Sequence, residues 1–215
     1  MSHPVKLYIM KGSGPCRAIW MTAKALNIPI EIIDVDLFKG ENKTPEFLKI
    51  NPFHTVPTID DNGFIIWESR AIMKYFANKY GGETPLYPKD AKKRALVDSR
   101  FDFDIGKFYP ALKEYAYPQV FHNKPSTPER EKDMHDALDN LESLLNHSKY
   151  IAGDQMTLAD ISMFCTVSFL WMLKYDFVKY PKIHAWIEEM KKLPYYKETN
   201  QAFNDWMHKT LNKGQ

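Results

Sequence analysis

The sequence predicts a small α/β domain followed by an all-helical one. Three observations carry that fold class. Strand-like and helix-like patterns alternate through roughly the first eighty residues. An Asn62-Gly63 pair stands between two short apolar runs, a strong hairpin signal. From about residue 90 onward no convincing strand pattern recurs.

In order, Val5 to Met10 is a short apolar run ended by Gly12-Ser13-Gly14 and reads as a strand and turn. Pro15 stands where a helix's first position would be, with Cys16, Ile19, Ala23 and Leu26 following at helical spacing. Asn27-Ile28-Pro29 stops that helix and Ile30 to Val35 reads as a second strand, completing a βαβ unit. A polar stretch, Lys39 to Thr44, precedes a short helix opened by Pro45. Val56 to Ile59 and Phe64 to Trp67 form the hairpin. Ser69 is expected to cap a helix carrying Ile72, Tyr75, Phe76 and Tyr80 on one face, ended by Gly81-Gly82. Helices are then expected over about Asp90 to Tyr117, Pro128 to Leu145, Thr157 to Lys174, Pro181 to Leu193 and Tyr195 to Leu211. Thr157-Leu158-Ala159-Asp160 resembles a capping box with Asp in place of Glu. The domains expected are residues 1–82 and 90–215.

Composition narrows the function. A 44% hydrophobic, 26% charged chain of 215 residues suits a soluble globular protein, and 29 basic against 27 acidic residues leave no basic stripe for nucleic acid. Met1 to Lys6 shows no cationic region leading into an apolar core, and the longest apolar run, Ile161 to Leu173, is too short to span a bilayer. Two distant cysteines, Cys16 and Cys165, suit free thiols in a reducing compartment. A cytoplasmic protein without membrane or nucleic-acid partners is expected. The seven histidines lack metal-ligand spacing, and no phosphate-binding glycine loop is present, so neither a metal nor a nucleotide cofactor is expected.

The chemistry centres on Ser13-Gly14-Pro15-Cys16, between a strand and a helix N-terminus. Such a place offers unpaired backbone N–H groups and the positive end of the helix dipole, both favourable to an anion. Dithiol oxidoreductases put Cys-x-x-Cys at this point of a βαβ unit; here serine replaces the first cysteine. Its hydroxyl can donate a hydrogen bond to a bound thiolate and lower the thiol's pKa from about 8.5. A fall of one or two units leaves roughly a quarter to three quarters of it ionised near neutral pH. From these residues alone, Ser13 as a simple helix cap is an equal reading. Cys16, with Ile19 and Ala23 on its face, reads as a core thiol. At His54-Thr55-Val56-Pro57, a cis bond before Pro57 would leave the Val56 backbone free to pair with an extended peptide, although an ordinary trans turn is the commoner case. In Trp67-Glu68-Ser69-Arg70, Ser69 and the helix amides suit a carboxylate while Glu68 suits an ammonium group.

Together, Ser13 to Arg17, Asn51 to Thr58, Asn62 to Phe64, Trp67 to Ile72, Pro85 to Pro88, Tyr117 to Phe121 and Gly153 to Ile161 resemble the glutathione S-transferases, specifically the insect delta class within the delta/epsilon group. The resemblance implies a thioredoxin-like N-terminal domain (βαβαββα), an all-α C-terminal domain and a homodimer. It implies that Ser13 is catalytic and that His54, Val56, Pro57, Glu68, Ser69 and Arg70 bind glutathione, a co-substrate rather than a cofactor. Asp104 matches by position an acidic residue that approaches the partner copy's γ-glutamyl group. The sequence departs from the family at Gly40-Glu41-Asn42, where a second histidine is common; Asn42 still offers a hydrogen bond but no charge.

The same resemblance places a pocket for small hydrophobic electrophiles among Met10, Tyr109, Leu112, Tyr117, Phe121, Phe203 and Met207. Thiolate attack on an electrophilic carbon, in detoxification, is the expected reaction, and peroxide reduction and dehydrochlorination draw on the same thiolate. A non-catalytic ligand-binding module of the same fold and a thiol oxidoreductase using Cys16 are the alternative readings.

Overall fold

The structure, a computed structural model, describes residues 3–212. By contacts they form two compact units. One runs to Gly82 and is rejoined by Tyr195–Lys209; the other comprises Glu83–Pro194.

The first unit is built on a sheet of β1 (Val5–Ile9), β2 (Ile30–Asp34), β3 (Thr58–Asp61) and β4 (Phe64–Trp67), in the order β2-β1-β3-β4. β1 runs parallel to β2 and antiparallel to β3, and β3 antiparallel to β4. The parallel pair needs a crossover, supplied by α1 (Gly14–Ala25). Its apolar residues Ile19 and Met21 are fully buried with Leu7, Ile9 and Ile59 of the sheet and Ile72, Met73 and Phe76 of α3 (Ser69–Tyr80). The hairpin turn has φ of 54° at Asn62 and 88° at Gly63. Two left-handed residues in succession match the twist of the flanking strands. The polar stretch before α2 (Pro45–Ile50) contains a turn of 3-10 helix, Glu41–Lys43.

Two polar side chains tie this unit together. Asp61, 2% exposed, accepts bonds of 2.6 Å from Tyr75, Lys79 and Tyr80 of α3. Burial raises its carboxyl, but the Lys79, Tyr75 and Tyr80 bonds outweigh this and hold it below the ordinary range. Arg17, 1% exposed, bonds Asn200 at 2.5 Å and places its guanidinium 3.8 Å from the ring centroid of Phe203. Both partners lie on α9 (Tyr196–Asn212), and Lys24 meets Glu198 at 2.6 Å alongside. The sequence pattern assigns every helix beyond residue 90 to one domain; α9 packs instead on α1, where Asn200 and Phe203 meet the buried Arg17 guanidinium.

The second unit contains α4 (Ala91–Phe103), α5 (Tyr109–His122), α6 (Pro128–His147), α7 (Leu158–Val167) and α8 (Pro181–Lys191). The single helix expected from Asp90 to Tyr117 is interrupted by a π turn at Asp104–Phe108. Pro110 supplies no N–H to the Gly106 carbonyl, so the ladder widens there before α5 resumes. The helix expected from Thr157 narrows to 3-10 at Ser168–Leu173. Every residue of α7 is buried. Its N-terminus has the expected capping box, and Asp160 does more: it accepts from Ile151 N, Thr157 N, Thr157 Oγ1 and Trp186 Nε1. No helix among the described residues is long and apolar enough to cross a membrane.

Asp160→Ala leaves four buried donors without an acceptor, so a loss of about 3 kcal/mol or more is expected in urea unfolding. Asp61 has a lowered carboxyl in the folded state, so its contribution is present above about pH 4 and is lost as pH falls below it. Asp61→Asn should therefore lower stability at pH 7 while flattening its decline as pH falls below about 4, measured by unfolding at a series of acidic pH values.

Candidate functional site

Strand register brings the predicted elements to one end of the sheet. Thr58, first residue of β3, stands opposite Tyr8 of β1 and Trp67 of β4. Beyond Tyr8 lie Met10 and Ser13, before Thr58 lie Val56 and Pro57, and after Trp67 come Glu68, Ser69 and Arg70. α1 and α3 both begin at this end.

Ser13 occupies the cap position of α1, with φ −70° and ψ 130°. Its N–H donates to Met10 O and its carbonyl accepts from Arg17 N, both at 2.9 Å. Its side chain makes no capping bond, so the simple-cap reading of the hydroxyl does not hold. Pro15 presets the first turn of the helix. Cys16, fully buried, has its thiol pushed up to about 12 by burial, against smaller lowering effects from a Ser13 hydrogen bond and the Met10 backbone. A thiol that stays protonated is no nucleophile at neutral pH, which removes the basis for an oxidoreductase using Cys16.

α3 is likewise without a side-chain cap. Ser69, expected as the cap, is its first helical residue and is buried; Glu68 takes the cap position with φ 73°. That left-handed backbone is uncommon for glutamate and directs Ser69 into the helix start. Glu68 is exposed and Arg70 half-buried. Two helix N-termini thus begin at one end of one sheet with backbone donors not taken by their cap side chains, an arrangement suited to a ligand with two anionic groups.

The intervening loop is organised by Asn51, whose role sequence reasoning left unassigned. Fully buried, it donates to Thr55 O, Thr55 Oγ1 and Thr58 Oγ1 at 3.0–3.1 Å and accepts from Phe53 N at 2.9 Å. The Asn51-Pro52 pair was the available signal. The loop leaves His54 exposed at φ 49°, and the Val56–Pro57 bond is cis. Asn42 is 9% exposed and donates its amide to the His54 carbonyl at 2.6 Å, so it supports the turn carrying His54; its own Oδ1 has no partner among the described residues.

In the second unit Tyr109 and Tyr117 share a hydroxyl contact of 3.1 Å, and Tyr117 packs against Phe121 and Phe169 at 5.3 and 5.1 Å between ring centroids. Burial, and then the Tyr109 bond, push the Tyr117 phenol above its ordinary range. Phe169 was hidden within an apolar run read as one continuous helix. Leu112 and Phe203, expected in the pocket, are 1% and 0% exposed and serve packing; Phe203 lies beneath Arg17. Met207 is 8% exposed and Met10 half-buried. Asp104 is fully buried, and one of its carboxylate oxygens accepts from Ser162 Oγ at 2.6 Å. Among the described residues no group of three potential metal ligands occurs.

Comparison with known proteins agrees with this geometry. Residues 7–84 match the glutathione S-transferase N-terminal domain and residues 106–194 the glutathione S-transferase C-terminal domain. The chain belongs to the glutathione S-transferase family, enzymes that use glutathione as a substrate. Within it, the chain is similar to a delta-class glutathione transferase of Nilaparvata lugens, with 39% identity, TM-score 0.92 and coverage of 99% of this chain and 100% of that one. It is similar also to an epsilon-class enzyme of the housefly Musca domestica, with 39% identity, TM-score 0.88 and 97% of each chain covered. A homologue from Drosophila mojavensis, solved with bound glutathione, shares 37% identity and a TM-score of 0.89 over 99% of this chain and 98% of that one. These matches support the transferase reading over a non-catalytic module of the same fold.

With its thiol buried and protonated, Cys16 should not react with a disulfide reagent at pH 8 in the native protein. Titration should find both cysteines only after unfolding, since Cys165 is buried too.

Proposed function

We propose that the chain activates glutathione at Ser13 and transfers it to small hydrophobic electrophiles. The observation that carries this reading is a serine hydroxyl at a helix N-terminus that does not cap its own helix. That hydroxyl donates to the glutathione sulfur and favours its anionic form, and the α1 dipole acts in the same direction. The thiol proton leaves to solvent, the sulfur lone pair forms a bond to the electrophilic carbon, and the leaving group departs with its bonding pair. Holding both reactants adds proximity.

The tripeptide is assigned by chemistry. Its γ-glutamyl carboxylate takes the α3 N-terminus with Ser69 and Arg70, and its ammonium group takes Glu68. The cysteinyl backbone pairs with Val56 beside Pro57. His54 takes the glycine carboxylate, with Asn42 acting by holding the His54 turn. Met10, Tyr109, Tyr117, Phe121 and Met207 are assigned to the electrophile. Glutathione is consumed, so it is a substrate and no separate cofactor is assigned. Assembly as a homodimer in the cytoplasm, with a detoxifying role, completes the proposal.

Ser13→Ala should lower kcat/KM toward an aryl halide by roughly 100-fold, the scale of losing one aimed donor. The bound thiol's pKa, followed by thiolate absorbance, should rise toward about 8.5 while retention on immobilised glutathione persists. Wild-type turnover with an unshifted thiol in the variant would overturn the assignment.

A further inference from the structure

On the second unit, lined by none of the residues assigned to glutathione, a cleft of about 440 Å³ opens between the segment 171–178 and α8. That volume lies in the range of small-molecule sites. Trp171, Tyr175 and Phe177 contribute aromatic surface, and the Tyr175 and Phe177 rings meet edge to face at 5.1 Å. Two carboxylates, Asp176 and Glu188, line the cleft against one ammonium, Lys191, with His184 the remaining imidazole. Lys191 Nζ already lies 4.7 Å from the Trp171 ring centroid and bonds Glu188 at 2.7 Å. The protein therefore places a cation of its own on the aromatic face, steadied by a carboxylate. This is the recognition chemistry of aromatic cages, where the negative face of the ring attracts ammonium groups.

We propose that this cleft is a second binding site, taking small organic cations of aryl- or alkylammonium type, which displace the Lys191 side chain from Trp171. A ligand ammonium inherits the ring face and the Glu188 carboxylate, and Asp176 adds a second acidic wall. An ammonium on a hydrophobic stem fits better than a hydrated inorganic ion, because the apolar stem also covers Phe177 and Tyr175. The site is independent of Ser13 and of thiol transfer.

The experiment is calorimetric titration of the full chain with phenyltrimethylammonium, repeated with benzoate as the anionic counterpart. Wild type should bind the cation and not benzoate. Lys191→Met removes the resident competitor and should tighten the cation severalfold, with transferase turnover unchanged as the control for folding. Asp176→Asn should weaken it severalfold, and Trp171→Leu should abolish it. No cation binding to the Lys191→Met protein overturns the proposal. So does benzoate binding that is lost in that variant, since the site would then select anions through the lysine.

Discussion

The position of Thr58 is the constraint on which the rest of the site depends. One residue at the start of β3 is paired to β1 on one side and β4 on the other. Three chain segments far apart in sequence are thereby aligned at one sheet end, in a register that a single-residue slip would destroy. Asn51 fixes the approach to Thr58 by bonding its hydroxyl, so the loop carrying His54 and Val56 has one course into the strand. The two helix starts follow from the same alignment, because α1 and α3 leave from the ends of β1 and β4. Neither N-terminus is capped by the side chain at its cap position.

Legibility in the sequence followed the range of the interactions. Local signals read well. Gly12 to Pro15 marked the turn that carries Ser13, Asn62-Gly63 marked the hairpin, and Thr157 to Asp160 marked the start of α7. Each is settled by residues within one turn of one another. The order of motifs then pointed to the family, and with it to residues such as His54 that no isolated pattern would single out.

What stayed illegible depends on partners that sequence spacing does not reveal. Asp104 is buried against Ser162, 58 positions away, a pairing that no local spacing announces. Arg17 is buried and bonds Asn200, 183 positions away, which no local pattern marks. The π turn before Pro110 and the narrowing at Ser168 leave the apolar periodicity almost unbroken, so one long helix was read where two segments occur. Asn42 could be read as a donor but not assigned its acceptor, because the His54 carbonyl lies 12 positions away.

The union of Arg17 with α9 also bears on how the chain comes to be made. The sheet unit is discontinuous: its cover arrives with residues 195–209, after the whole helical unit has been threaded between its two parts. A guanidinium is costly to bury without partners, and here both Asn200 and Phe203 are supplied by the last helix. During synthesis the first eighty or so residues emerge before Asn200 and Phe203 exist, so the packing of Arg17 against α9 cannot form early. That part of the first unit assembles only once residues 195–209 have been made, so the sheet unit receives a late segment of its own packing after the intervening helices.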